Sequence, residues 1–156
     1  MPADDAPTPE ITIRQAVPSD LDHLAPLFDA YRQFYRQPGD MEGAKRFLLD
    51  RFRYNQSIIF IAFQGDTPAG FTQLYPSFSS SAMVQILILN DLFVVPGARK
   101  RGVGSALLER AAGYARQIKA LRLALSTEIS NRTAQSLYEK HGWKRDTVFQ
   151  AYTLAL

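Results

Sequence analysis

Residues 94–108 read Val94-Val95-Pro96-Gly97-Ala98-Arg99-Lys100-Arg101-Gly102-Val103-Gly104-Ser105-Ala106-Leu107-Leu108. A β-branched run meets a Pro-Gly break, then three bases, two alternate glycines and a helix-forming run. Strand, turn and helix are predicted in that order. Glycines let a backbone curl until successive N–H groups face one concavity. A helix start adds unpaired N–H groups and a positive dipole end. Such a turn suits a phosphate or pyrophosphate. Two familiar phosphate motifs fail on spacing. The dinucleotide fingerprint needs a glycine where Leu107 stands, and a P-loop needs Lys-Ser/Thr where Val103-Gly104 follow. What remains is Arg-x-x-Gly-x-Gly behind an extended strand.

Outward from this turn, both flanks read as alternating elements. Upstream, residues 11–17 alternate as a strand, and Ser19 is a candidate N-cap. Leu21, Leu24, Leu27, Phe28 and Tyr31 make one helical stripe, which Pro38-Gly39 breaks. A second helix is expected over 41–54. Strands follow at 57–63 and 70–75, with a loop at 76–81. A long strand spans 83–95, and Asn90-Asp91 predicts a bulge in it. Downstream come a helix over 104–118, a strand over 121–127, a helix over 131–141 and a closing strand over 148–156, with a short strand near Trp143 also open. Residues 1–10, acidic and rich in Pro and Ala, read as a disordered tail. Residues 11–156 read as a single mixed α/β domain.

Composition removes whole classes. The 156 residues contain no Cys and two His, His23 and His141. Disulfide frameworks, Cys-based metal sites, Cys nucleophiles and three-His metal centres are excluded, and no metal is expected. The longest strongly apolar run is six residues, 58–63, far below the roughly 20 that cross a bilayer. No secretory leader is visible, so a cytoplasmic location without membrane association is the expectation. Net charge is +3. Residues 97–122 hold seven bases against Glu109, a local +6 on a body of −3. A general nucleic-acid binder would be basic more widely, so a local anionic ligand is favoured and nucleic acid is not expected as a partner.

The Arg99-x-x-Gly102-x-Gly104 turn, the strand Leu89-Asn90-Asp91-Leu92-Phe93-Val94-Val95-Pro96 before it, and Asn131-Arg132-Thr133-Ala134-Gln135-Ser136-Leu137-Tyr138-Glu139-Lys140-His141-Gly142-Trp143 after it resemble the signature segments of the GNAT N-acetyltransferase superfamily. The resemblance covers about residues 10–156. It implies the GNAT acyl-CoA N-acyltransferase fold, with six or seven strands in a mixed sheet flanked by about four helices. It also implies acetyl transfer from acetyl-CoA to an amine.

By that resemblance, Arg99, Lys100, Arg101, Gly102, Val103, Gly104 and Ser105 would hold the pyrophosphate of acetyl-CoA. The backbone of Leu92, Phe93 and Val94, splayed from the strand over 121–127, would take the pantetheine. An N–H near Val94 would face the thioester carbonyl. Asn131 would cap its helix and touch the cofactor. Tyr138 would protonate the departing thiolate, since a phenol of pKa about 10 stays protonated at neutral pH. Asp91 and Glu128 both remain open as acceptors of the ammonium proton. The stretch over 89–108 and the aromatic first helix over 31–35 are similar to GNAT branches acting on polyamines, lysine analogues or protein lysines, and a homodimer is the expectation for assembly. A domain that binds acetyl-CoA without turnover is the alternative.

Overall fold

A computed structural model describes residues 7–156. Part of the expected tail, residues 1–6, lies outside the described residues. Residues 7–10 are exposed and form no element, although Glu10 C=O accepts the Gly65 N–H at 3.0 Å. The chain divides into two compact units, the first ending at Ser126 and the second running from Thr127 to Leu156.

In the first unit, β1 (Ile11–Gln15), α1 (Leu21–Phe34), α2 (Met41–Arg53), β2 (Ile58–Gln64), β3 (Thr67–Ser79), β4 (Val84–Val94), α3 (Val103–Gln117) and β5 (Leu123–Ala124) follow in chain order. The strands make one sheet in the order β1-β2-β3-β4-β5, antiparallel except for the parallel β4–β5 pair. Side chains alternate across that sheet. Ile59, Ile61, Phe71 and Phe93 pack with Leu24, Leu27 and Phe28 of α1, and Ala44 and Leu48 of α2 join them. Phe60, between those two isoleucines, turns to α3, its ring 5.7 Å from Tyr114. Helices therefore cover both faces.

Among the described residues the sheet has five strands, not six or seven. Three readings are corrected. Residues 76–79 are not loop but the end of β3, with Pro76 opposite Leu87. β2 reaches only Leu74, so from there β3 has a partner on one side, where proline's missing donor is tolerated. The strand expected over 121–127 shrinks to Leu123–Ala124. Nothing over 143–156 is strand. There Asp146 Oδ1 accepts the N–H groups of Val148 and Phe149 at 2.8 and 3.0 Å. In the second unit the regular element is α4 (Arg132–Lys140).

Candidate active site

The turn after β4 forms in two steps. Pro96–Ala98 make one 3₁₀ turn, and Arg99 is extended at φ −69° and ψ 156°. Lys100 and Gly102 then take left-handed backbone at φ +62° and +85°. Gly102 is the N-cap of α3, and it has no side chain to cap with. The Ala106 N–H is bound inside the helix, to Gly102 C=O at 3.0 Å. Helix geometry therefore directs the amides of Val103 and Gly104 out of the helix end. A Cβ built on Gly102 would meet no atom within 4 Å, so the space beside the cup is open. Of the two glycines in the sequence pattern, only Gly102 needs a left-handed backbone; Gly104 stands in the first turn of α3. Buried Ala98, Val103, Leu107 and Leu108 fix the turn to the body, leaving Arg99, Lys100 and Arg101 exposed. The Arg99 guanidinium lies 5.8 Å from the ring centroids of both Phe34 and Phe93, and its Nε donates to Val94 C=O at 3.0 Å.

β4 leads into this cup along a parted edge. β5 pairs with it at Leu87 and Ile88. Beyond Ile88, among the described residues, no strand pairs that side. Val95 N–H donates to Ala69 C=O on β3 at 2.9 Å, so strand alternation turns the N–H and C=O of Val94 to the open edge. Leu92 and Val94 are half-buried and Phe93 is buried. On the β3 side, Gly70 faces Val94 with no room to spare: a Cβ there would stand 2.5 Å from Phe93 O. The sequence places Gly70 at the start of the strand expected over 70–75, and a glycine inside a strand marks close backbone approach.

The expected bulge is present. Gln73 pairs with Asp91 and Leu74 with Leu89, so Asn90 is the extra residue. The bulge turns Asp91 inward to 2% exposure. Its carboxylate accepts hydrogen bonds from Gln73 Nε2 and from Asn90 Nδ2 at 2.8 Å, and the nearby Tyr31 hydroxyl donates to Asn90 C=O at 3.2 Å. Burial raises the Asp91 pKa against the opposing pull of these donors. Burial, then the nearby Asp91 charge, raises that of Tyr31 and pushes Tyr75 up to about 12. Both phenols stay protonated donors. Asp91 lines a cavity of about 370 Å3 whose walls include the rings of Phe28, Tyr31, Phe47 and Tyr75. Buried Asp29 braces the helix connection beside it, accepting from Asp40 N–H at 2.9 Å, Gln33 Nε2 at 3.0 Å and Arg32 at 3.2 Å.

A family profile described as "Acetyltransferase (GNAT) family" matches residues 24–143 of this chain. The chain belongs to that family. A Bacillus subtilis relative of this GNAT acetyltransferase, described as the uncharacterized N-acetyltransferase YhfO, is 52% identical over 144 residues, covering 92% of this chain and 97% of that one. A probable acetyltransferase of Haemophilus influenzae is 33% identical over 85% of this chain and 90% of its own length. The crystal structure of a probable acetyltransferase superposes with a TM-score of 0.89 at 41% identity, covering 93% of this chain and 97% of that one. The GNAT fold expected from the sequence is therefore the fold found.

The second unit of this GNAT acetyltransferase holds the remaining candidates. Asn131 caps α4, its Oδ1 accepting Ala134 N–H at 3.1 Å. Tyr138 is half-buried on α4, its ring 6.0 Å from that of Trp143. The backbone carbonyl of Glu128 accepts from Gln135 Nε2 at 3.0 Å. Among the described residues no group of three or more His, Asp or Glu is placed to hold a metal ion, and no helix is long and apolar enough to cross a membrane.

Proposed function

We propose that this GNAT acetyltransferase moves the acetyl group of acetyl-CoA directly onto a primary amine. One observation carries the reading: an amide cup around Gly102, open where a Cβ would stand, continues from a strand edge that has no β5 partner past Ile88. Such a cup fits a pyrophosphate, and such an edge fits the amides of a pantetheine arm. Arg99, Lys100, Arg101, Val103, Gly104 and Ser105 join Gly102 in holding the pyrophosphate. Asn131 adds a contact, and the backbone of Leu92, Phe93 and Val94 takes the arm. The bound molecule supplies an activated acetyl group.

Val94 N–H is assigned to the thioester carbonyl, where a fixed donor favours developing negative charge. The primary ammonium gives one proton to solvent water; the free amine then forms the C–N bond as the C–S bond breaks, and the second proton lost from nitrogen restores the Tyr138 phenol after it has donated. Tyr138 gives its proton to the departing sulfur. Holding both substrates together supplies much of the acceleration, and without a Cys no cysteine acyl-enzyme intervenes. Residues 11–156 act as one domain in this reading, which the family match across Ser126 supports. A cytoplasmic location fits it. The exposed Val148, Phe149, Tyr152 and Leu154 offer a surface for a second copy in a homodimer.

The test is release of free thiol from acetyl-CoA across a panel of primary amines. Release that depends on an amine is expected. Tight acetyl-CoA binding with no release above blank for any amine would turn the reading into a non-catalytic binding domain.

A further inference from the structure

Asp91 is a buried carboxylate whose side-chain hydrogen bonds come from Gln73 and Asn90, both uncharged. Taking a carboxylate out of water without a cation is costly. Here the cost falls at the wall of a cavity, not in a sealed core. Four aromatic rings surround the remaining space, and ring faces attract cations. Asp40 adds a second carboxylate to the lining. The Arg32 guanidinium at the same cavity is already engaged by Asp29 at 3.2 Å and Pro38 C=O at 3.1 Å. Arg51, 4.2 Å from the Phe47 ring centroid, stacks on a wall residue and is not among the lining residues. The uncompensated charge facing the cavity is therefore negative. At about 370 Å3 the space suits a small molecule. Asp91 and Val94 are three residues apart on β4, about 10 Å along a strand.

We propose that this cavity is the acceptor subsite. It selects a small aliphatic primary ammonium with no carboxylate on the carbon bearing the nitrogen. Asp91 is its counter-charge and specificity residue, and the rings of Phe28, Tyr31, Phe47 and Tyr75 wall its alkyl chain. An α-carboxylate would meet Asp91 and Asp40 with no free cation to receive it. The inference rests on the acetyl-transfer reading for its place in catalysis, but the binding it predicts can be measured without acetyl-CoA.

The experiment is a titration of the full chain, watched by backbone amide NMR shifts, with n-butylamine, 1-butanol and norleucine near neutral pH. Butylammonium should shift amides around Asp91 and Tyr75 and bind about tenfold or more tighter than either analogue. Asp91→Asn should abolish that preference while acetyl-CoA affinity, titrated separately, stays at the wild-type value. If the variant does not fold, the wild-type comparison alone decides. Equal affinities for the three compounds, no binding by the amine, or a preference for lysine-containing peptides over small amines would overturn the proposal. In the wild type, absence of any ammonium preference with acetyl-CoA binding intact sinks this inference alone. Failure to bind acetyl-CoA with the preference intact sinks the transfer reading alone.

Discussion

Asp20 receives both terminal nitrogens of Arg14 at 2.7 Å and the Val17 N–H at 2.8 Å. The Arg14 hydrogen bonds hold its carboxyl below the usual 3.8. Its contribution to stability is therefore present above pH 3.8 and disappears as pH falls through the lowered folded value. Asp20→Asn should cost about 1–3 kcal/mol in urea unfolding at neutral pH, and the gap should close in acid. Asp91 has the opposite sign. Burial raises its folded pKa, so the folded chain binds that proton more readily than the unfolded one, and stability declines as pH rises from 3.8 through the raised value. Across that window the stability of Asp91→Asn should gain on wild type; a gap that is flat with pH would refute the linkage. Sequence alone left Asp91 and Glu128 equal, because a carboxylate's burial depends on strands distant in the chain. Only the pairing with Gln73 sets Asp91 apart.

β4 does three jobs along 11 residues: it pairs with β5 at Leu87 and Ile88, bulges at Asn90 and opens its edge at Val94. The bulge was legible from Asn90-Asp91 interrupting an apolar run, and the cup from the glycine spacing that follows. The length of β5 was not, since alternation over 121–127 marks a face and says nothing of how far a partner runs alongside. The same gap in the signal explains the missing strand over 148–156. Gly70 shows a third kind of gap: its need for space comes from Phe93 O across the ladder. Gly70→Ala should push β4 away, costing about 1–3 kcal/mol in chemical denaturation. It should also weaken acetyl-CoA binding, because Val94 moves with the strand. Unchanged stability would mean that the β3–β4 spacing is softer than this packing implies.

Over the whole molecule, charge and chemistry divide by segment. The +6 of residues 97–122 runs from the cup through α3 to the start of β5, while the cavity presents Asp91 and Asp40. An anionic donor and a cationic acceptor would thus meet opposite fields in one chain. In the proposed transfer Tyr138 is the general acid. Tyr138→Phe removes a proton and little volume, so kcat should fall about 10²-fold, as losing a general acid does, with amine and acetyl-CoA affinities held; unchanged kcat would end that assignment. Binding at the cup is measured by calorimetric titration of acetyl-CoA into wild type and Gly102→Ala, beside their thermal melts. At φ +85° the methyl group costs about 1–2 kcal/mol of strain and occupies the open space. One site per wild-type chain is expected, with about tenfold or more weaker binding in the folded variant. No binding heat with wild type, or equal affinity in both proteins, would contradict it.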